Sequence, residues 1–219
     1  MKRQSETKEN YLKAILHYSP DGENVSNNTI AKHLGTSPAS VTDMVKKLQA
    51  DKMLTHESYK GVKLTSAGRK IALQIIRKHR LWELFLVETL GFTWDNVHEV
   101  AEQLEHVNSP ELINRIDEFL NFPRFDPHGD PIPNADGEIV KRNTQLLTEV
   151  SPPKWVEVVG VNDSDPDFLQ YLDSIGLSLH QRIKVVEKLA YDQSCQLEIE
   201  GQRLLIGGNA AKNIRVLVE

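Results

Sequence analysis

The chain has 219 residues, 39% of them hydrophobic and 26% charged, and this ordinary globular composition excludes wholesale disorder and collagen-like structure. Its single cysteine, Cys195, excludes an intrachain disulfide and an all-cysteine zinc site, and it indicates a reducing compartment such as the cytoplasm. The sequence carries no signal-peptide pattern and no apolar run that is long enough to span a bilayer, so we expect a soluble, cytoplasmic protein without a membrane partner.

The net charge of −5 hides an asymmetry along the chain. Residues 1–80 contain 15 Lys and Arg against 7 Asp and Glu, a net charge of +8, whereas residues 81–219 contain 11 against 24, a net charge of −13. A basic N-terminal part predicts a polyanionic partner, and an acidic remainder predicts a cation site. The alternative is charge that is merely scattered over the surface.

The N-terminal part reads as short helices joined by tight turns. Ser5 is the predicted N-cap of the first helix, whose apolar stripe consists of Tyr11, Leu12, Ile15 and Leu16. A second helix over 27–34 ends before Gly35, which suits the positive φ of a helix C-terminus. Ser37 as N-cap and Pro38 at the first position open a third helix. Two short helices joined by so tight a glycine turn are typical of a helix-turn-helix.

The third helix is the predicted DNA-contacting element, because its start carries small and hydroxyl residues and its end carries lysines. Two short segments, 53–57 and 62–65, flank a basic tip and predict a hairpin, or wing. The candidate DNA contacts are Ser37, Ala39, Ser40, Thr42 and Lys47 in the helix and Tyr59, Lys60 and Lys63 in the wing. An ordinary helix-turn-helix that packs without DNA is the alternative.

Two further helices carry the acidic and imidazole residues. A long helix from residue 65 or 66 to Leu90 carries His79 and Glu83, one turn apart. A second helix, capped near residue 93 or 95, is predicted to carry His98, Glu102, Glu105 and His106 on one stripe. Carboxylates with imidazoles suit manganese or ferrous iron, and zinc is not excluded. A solvated charged face with one or two hydrogen-bonded histidines is the alternative.

The rest of the chain changes in character. A helix that starts after Ser109 carries an apolar stripe, which we expect at a dimer interface or in the core: Leu112, Ile113, Ile116, Phe119 and Leu120. Residues 122–154 hold six of the ten prolines and indicate a linker. Beyond it, short β-rich runs at 155–161, 182–189, 195–199, 203–206 and 214–218, with a helix near 167–175, predict a small barrel.

In this order, the motifs resemble those of the iron- and manganese-dependent repressors of the DtxR/MntR family. The resemblance covers essentially the whole chain and rests on the stretches 9–12, 31–48, 64–68, 77–81, 102–107 and 127–133. Its most specific part is an ExxEH stretch with RKHRL before it and PHGxPIP after it. It implies a mainly α fold with a small β part: a winged helix over 1–70, a helical metal-binding and dimerisation domain over 71–140, a linker over 141–154 and an SH3-like (FeoA-like) barrel over 155–219.

The resemblance also implies roles for individual residues. Glu102, Glu105 and His106 match the core of a regulatory metal site, which Asn10 reaches from the first helix. His79 lines that site in manganese-type members and belongs to the neighbouring ancillary site in iron-type members. The other implied ligands fall on ancillary positions: Glu83, His98, Asp126, His128 and Asp163.

Several positions depart from the family pattern. Iron-type members carry Cys where this chain has Glu102, and a hard carboxylate in place of a thiolate favours manganese. Asp126 likewise replaces a Cys that is common in the PHG loop. Asn10 stands where manganese types usually carry Asp and iron types carry Met, so it offers a neutral oxygen. Lys13 occupies a position that is acidic in some two-domain manganese repressors, which argues against a binuclear site there.

The sequence therefore predicts a homodimeric repressor that is activated by Mn(II), with Fe(II) possible, and binds a palindromic operator in double-stranded DNA. An iron-dependent repressor of the same fold and a winged-helix regulator that senses an organic ligand are the alternatives. An enzyme is not expected, because the chain contains no Glu-x-x-His pair for a di-iron site, no His-Glu-x-x-His, no nucleophile elbow and no phosphate loop.

Overall fold

The computed structural model describes residues 2–57, 60–162 and 165–218, and residues 2–5 by their backbone only. The chain divides into two compact units. The first comprises residues 1–79, 104–109 and 133–138, and the second comprises residues 80–103, 110–132 and 139–219. Each unit has hydrophobic core residues of its own. Over the described ranges, no helix combines the length and the apolar character that a membrane span requires.

The first unit contains the predicted helix-turn-helix and wing. Its elements are α1 (Lys2–Tyr18), α2 (Asn27–His33), α3 (Pro38–Ala50), β1 (Leu54–Glu57), β2 (Gly61–Leu64) and the start of α4 (Ser66–Leu90). The stripe predicted for α1 is buried, and it packs with Ile30, Val41 and Leu48 in one core. Burial of this stripe, more than the intrinsic helix propensity of these short segments, holds the three helices together.

Local signals mark the turn between α2 and α3, the start of α3 and the end of α4 as expected. The Ser37 side chain accepts a hydrogen bond from the Ser40 N–H, and Pro38 is the first residue of α3. Gly35 has a φ of +58° in the turn between α2 and α3, and Gly91 has a φ of +73° directly after α4. The prediction for Ser5 is wrong, because α1 already begins at Lys2 and Ser5 lies within the helix rather than at its cap.

The wing is an antiparallel pair of strands in which Leu54 pairs with Leu64 and Glu57 with Gly61. Val62 also forms a bridge to Val25, which ties the wing to the segment between α1 and α2. Gly61 has a φ of +109°, and a Cβ at this position would overlap the carbonyl oxygen of Val25. The close approach of these two backbones therefore requires glycine.

We expect Gly61→Ala to lower the free energy of unfolding by about 3 kcal/mol, since alanine adds backbone strain and an overlap with a carbonyl. Urea unfolding followed by circular dichroism measures this loss. Gly35→Ala is the matched control, because Gly35 also has a positive φ but a Cβ there meets nothing within 4 Å. Its expected loss is only about 1 kcal/mol. Equal losses in the two variants would show that the overlap with the Val25 carbonyl adds nothing to the cost of the positive φ.

The second unit contains a helical part and a sheet. The helical part comprises the rest of α4, most of α5 (Val97–Leu104) and α6 (Pro110–Phe119). Leu81, Leu84, Ile113, Ile116 and Ile132 form its core. The prediction that the second ligand-bearing helix extends through His106 is wrong, because α5 ends at Leu104 and both Glu105 and His106 lie in the turn that follows.

All strand pairs of the sheet in the second unit are antiparallel, in the order β3-β8-β4-β5-β6-β7. The strands are β3 (Gln145–Leu146), β4 (Lys154–Val161), β5 (Arg182–Lys188), β6 (Cys195–Ile199), β7 (Gln202–Ile206) and β8 (Ile214–Val218), and the helices α7 (Pro166–Ser174) and α8 (Gly208–Ala211) lie between them in sequence. Val156, Val158 and Leu197 are buried in the core of the sheet, and the second half of β4, residues 158–161, is buried at every position.

Part of the segment that the sequence predicts as a linker belongs to this sheet. Residues 145–146 pair with β8, and a single 3₁₀ turn follows over Leu147–Glu149. Leu147 and Val150 are fully buried in the core of the sheet. Proline-rich composition indicates irregular backbone, but it does not exclude a short strand that pairs with a distant part of the chain.

Candidate metal centres

In the first unit, the carboxylate of Glu105 is a meeting point for three segments. It is 1% exposed, and its Oε2 lies 2.7 Å from Nδ1 of His79, which is on α4. Lys13, on α1, donates to both carboxylate oxygens from 2.8 Å. Burial alone would raise the pKa of Glu105, but the hydrogen bond with His79 and the charge of Lys13 outweigh it and hold the pKa below its usual value. Glu105 is therefore a buried, ionised carboxylate.

His106 presents its two ring nitrogens to two different carboxylates of the first unit. Its Nδ1 lies 2.8 Å from Oε2 of Glu9, and its Nε2 lies 3.7 Å from Oε1 of Glu105. A proton on Nδ1 that is donated to Glu9 leaves the Nε2 lone pair directed at Glu105. An outer carboxylate that orients an imidazole in this way is the usual support of a metal-ligating histidine.

Asn10 is the candidate ligand that α1 of the same unit carries. Its Oδ1 is buried, and no hydrogen-bond donor for it is found among the described residues. A buried amide oxygen without a donor loses free energy unless a cation or an ordered water satisfies it. An amide oxygen, a carboxylate and an imidazole form a hard donor set that fits a divalent cation.

The second unit contains a cluster formed by Glu83, Asp126 and His128. All three residues are buried, and one potential ligand atom from each lies within 4.8 Å of those of the others. Nδ1 of His98 lies 3.1 Å from Oε1 of Glu83, and Nε2 of His98 lies 3.7 Å from Oε1 of Glu102. Two carboxylates and an imidazole at these distances can hold a cation of the same hard type.

The orientation of His128 is fixed by a backbone carbonyl. Its Nε2 lies 2.7 Å from the carbonyl oxygen of Trp94, and its ring stacks on that of Trp94 at an interplanar angle of 7°. Because a carbonyl only accepts, Nε2 carries the proton and donates it. The other ring nitrogen, Nδ1, lies 3.9 Å from Oε2 of Glu83. An imidazole nitrogen and a carboxylate oxygen at this distance can share a proton or a metal ion.

Burial raises the pKa of Asp126 to about 7, and the neighbouring charges of Asp130 and Glu83 act in the same direction. Arg80 and His128 oppose this shift. Asp126 Oδ2 lies 3.3 Å from Nε of Arg80, while Oδ1 accepts hydrogen bonds from the N–H groups of His128 and Asp130, each at 2.9 Å. A divalent cation would replace the proton that Asp126 retains near neutral pH.

The loop that carries Asp126 and His128 is attached to the sheet of its own unit. The N–H of Val161, in β4, donates to the His128 carbonyl at 2.9 Å. Arg215, in β8, donates to the Asp130 carboxylate and to the carbonyl of Val161. Gly129 has a φ of +82°, and a Cβ there would overlap the backbone of β4. These contacts hold the ligand-bearing loop in one position.

The structure thus places the sequence-predicted ligands in two groups of contacts. In the first unit His79, Glu105 and His106 contact one another, and in the second unit Glu83, His98, Glu102, Asp126 and His128 do. Asn10 lies on α1 of the first unit. Asp163 lies outside the described residues. Sequence reasoning missed the supporting partners Glu9, Arg80, Asp130 and Arg215. Glu9, Arg80 and Asp130 lie inside the recognised family stretches, next to ligand positions, and this neighbourhood was a signal for them; Arg215 lies in none of these stretches.

The residues nominated for DNA contact lie on an exposed surface of the first unit, apart from Tyr59, which is outside the described residues. The exposed ones are Ser37, Ala39, Ser40, Thr42, Lys47, Lys60 and Lys63. Ser37 is engaged in the cap of α3, and Thr42 donates to the Pro38 carbonyl. Lys60 forms an ion pair with Glu57 at 2.9 Å. Lys47 carries its charge at the C-terminal end of α3.

The stripe on α6 divides between core and surface. Ile113 and Ile116 are buried against α4 residues, and Leu120 is partly buried there. Leu112 is 38% exposed and Phe119 is 66% exposed, and the rings of Phe119 and Phe85 form an edge-to-face pair with centroids 5.9 Å apart. Phe122, which the sequence analysis did not nominate, is also 65% exposed. The core explanation therefore holds for Ile113 and Ile116, whereas Leu112 and Phe119 lie on the surface of the unit.

Three family models match the chain in succession. The iron dependent repressor N-terminal DNA binding domain matches residues 4–62, the iron dependent repressor metal binding and dimerisation domain matches residues 65–134, and the FeoA domain matches residues 145–218. Together they agree with the winged-helix, helical and SH3-like parts described above.

Individual relatives extend this similarity over nearly the whole chain. The iron-dependent repressor IdeR of Mycobacterium leprae is 35% identical over 193 residues, which cover 82% of this chain and 84% of that protein. The transcriptional regulator MntR of Oceanobacillus iheyensis is 36% identical over 143 residues, 65% of this chain and 95% of that protein. A solved manganese-dependent transcriptional repressor in complex with manganese aligns with a TM-score of 0.88 and 36% identity, covering 97% and 100% of the two chains.

Proposed function

Because this chain belongs to the DtxR/MntR family of metal-dependent transcriptional repressors, we propose that it is a homodimer that responds to manganese, with Fe(II) as the nearest competitor. The observation that carries this proposal is the donor chemistry of the two clusters, which consists of oxygen and imidazole nitrogen. The one cysteine, Cys195, is buried in the core of the sheet instead. Hard oxygen donors favour Mn(II), whereas a thiolate would favour softer ions.

We assign Asn10, Glu105 and His106 to the regulatory site, and Glu83, Asp126 and His128 to an ancillary site. The remaining nominated ligands stay predictions: His79, His98, Glu102 and Asp163. A bound divalent cation supplies the charge that lets several carboxylates converge without mutual repulsion. Asn10 lies on α1, while Glu105 and His106 follow α5, so the regulatory ligands come from separate segments of the chain.

Helix α1 shares its core with α3, so the position of α1 influences that of the DNA-reading helix. In a dimer, two such helices need a separation of about 34 Å to enter successive major grooves of a palindrome. Ligands that fix α1 therefore favour one spacing of the reading helices. The affinity for DNA and the affinity for metal then rise by the same factor, as linkage requires.

Lys47→Ala is expected to weaken binding to all DNA sequences about equally, because an exposed lysine at the end of α3 is suited to a phosphate rather than to a base. The slope of log affinity against log salt concentration should become shallower by about one unit. Fluorescence anisotropy at a series of salt concentrations measures this slope. Lys212→Ala, an exposed lysine of the second unit, is the control. An unaltered slope for Lys47→Ala would remove this residue from the DNA interface.

Dimerisation is supported by the match to a metal binding and dimerisation domain and by exposed aromatic residues on and after α6. Phe119 and Phe122 expose large apolar surfaces, which are typical of protein–protein contacts. We place the homodimer contact on this side of α6, with Leu112 and Phe119 as the residues that reach the partner and Ile113 and Ile116 as their support from within the core.

Metal-dependent retardation of DNA tests the proposed function. A duplex is first selected from a random pool with manganese-loaded protein, and chelator-stripped protein is then titrated anaerobically with Mn(II) or Fe(II). We expect stripped protein to leave the duplex free and Mn(II) to restore binding at a lower free concentration than Fe(II). Stripped protein that binds as tightly as loaded protein would contradict the regulatory mechanism. Fe(II) acting at the lower concentration would transfer the assignment to iron, as the similarity to IdeR allows.

A further inference from the structure

Lys13 occupies a place in the first unit that the proposed regulatory site needs for a cation. Its Nζ lies 2.8 Å from both Oε1 and Oε2 of Glu105. The Lys13 side chain is 20% exposed and the Glu105 side chain is 1% exposed, so the pair is largely withdrawn from water. An ammonium group that contacts both oxygens of a carboxylate neutralises the same charge and uses the same lone pairs as a coordinated ion would.

The rest of the cluster depends on this charge. Glu105 also contacts His79 through Oε2 and faces Nε2 of His106 from Oε1. Without a positive partner, burial would destabilise the ionised Glu105 carboxylate, and hydrogen bonds from neutral imidazoles offset this desolvation only in part. Lys13 therefore holds α1 to the turn that follows α5 by the same kind of contact, between a cation and Glu105, that metal ligation would use.

We propose that Lys13 is a built-in competitor of the regulatory metal, an ammonium ion that must leave Glu105 before a divalent cation can bind there. This inference rests on the proposed function, since it requires Glu105 and His106 to ligate the metal. It makes Lys13 a residue that determines affinity: the free metal concentration at which the site fills is higher than the ligands alone would set. Neutral replacement of Lys13 should therefore tighten metal binding, although it removes a contact that stabilises the metal-free protein.

The test is a titration of full-length, stripped protein with Mn(II) alone, in which free Mn(II) is followed by its electron paramagnetic resonance signal. We expect Lys13→Met and Lys13→Gln to tighten binding at the site that depends on His106 by about 10- to 100-fold, because no ion pair has to be broken first. Lys13→Arg keeps the charge and should stay close to the parent. The comparison of Gln with Arg remains decisive if the methionine variant does not fold.

Lys8→Met is the matched control for the loss of one positive charge. Lys8 lies on the same helix, but its ion pair with Asp51 is exposed and involves no residue of the cluster. We expect its Mn(II) affinity to stay within about twofold of the parent, since exposed charges are screened. A second readout is thermal unfolding: Lys13→Met should melt at a lower temperature than the parent without metal and gain more on addition of Mn(II).

The outcomes separate this inference from the proposed function. If His106→Ala binds Mn(II) as the parent does, His106 is not a ligand and the proposed regulatory site is wrong. If His106→Ala removes one class of Mn(II) site but Lys13→Gln binds no tighter than the parent, the site stands and the competitor role of Lys13 is refuted. Equal tightening in Lys13→Gln and Lys8→Met would also refute it, because general electrostatics would then explain the effect.

Discussion

Replacing His106 by alanine is expected to abolish metal-dependent DNA binding while leaving the fold intact. His106 offers one nitrogen to Glu9 at 2.8 Å and directs the other at Glu105, so the variant loses both a metal ligand and its orientation. The affinity for the selected duplex at a fixed Mn(II) concentration should fall by about 100-fold or more, which corresponds to about 2.7 kcal/mol. Anisotropy titrations with and without Mn(II) measure this loss, and circular dichroism checks the fold.

His180→Ala is the matched control for this experiment. Nδ1 of His180 lies 3.0 Å from Oε1 of Glu157, so it forms a similar histidine–carboxylate pair on the exposed surface of the second unit. We expect this variant to bind metal and DNA as the parent does. A parent-like response of His106→Ala to Mn(II) would eliminate the imidazole from the regulatory site.

Local sequence signals predicted the elements of the fold well where one face of an element is apolar. The stripe from Tyr11 to Leu16 predicted α1, and Gly35, Ser37 and Pro38 marked the turn and the start of α3, because their backbone preferences act over a few residues. The predicted fold class, mainly α with a small β part, was confirmed because these local signals identify most of the helices and strands. Strand pairing was less predictable: β3 is only two residues long, and its stability comes from β8, about 70 residues away along the chain.

The candidate sites were predictable only in part. Helical spacing placed His79 and Glu83 on α4, and the structure agrees. The same argument failed for Glu105 and His106, because α5 ends one residue earlier and periodicity carries no information about a turn. The partners that orient the ligands could not be found from spacing at all. Arg215 reaches Asp130 across 85 positions of sequence, and Trp94 reaches His128 across 34.

Asp130→Asn is expected to lower the free energy of unfolding by about 2 kcal/mol, somewhat less than the cost of breaking a fully buried ion pair. The Asp130 carboxylate, with 20% of its side chain exposed, lies between two guanidinium groups of the second unit. Arg80 on α4 donates to Oδ2 at 2.9 Å, and Arg215 in β8 donates to Oδ1. Asparagine keeps the size of the side chain but leaves both cations without a carboxylate. Urea unfolding of metal-free protein measures the loss.

The same substitution should weaken Mn(II) binding at the Glu83, Asp126 and His128 cluster about tenfold, because the loop that orients two of these ligands is held less firmly. Glu111→Gln is the control, since Glu111 and Arg115 form an ion pair of similar length, 2.9 Å, with both side chains more than 70% exposed. Its expected loss of stability is about 0.5 kcal/mol or less, with no change in metal affinity. If the two variants lost equal stability, burial between two arginines would add nothing. If Asp130→Asn lost stability but bound Mn(II) as the parent does, Asp130 would stabilise the second unit without positioning the ligands.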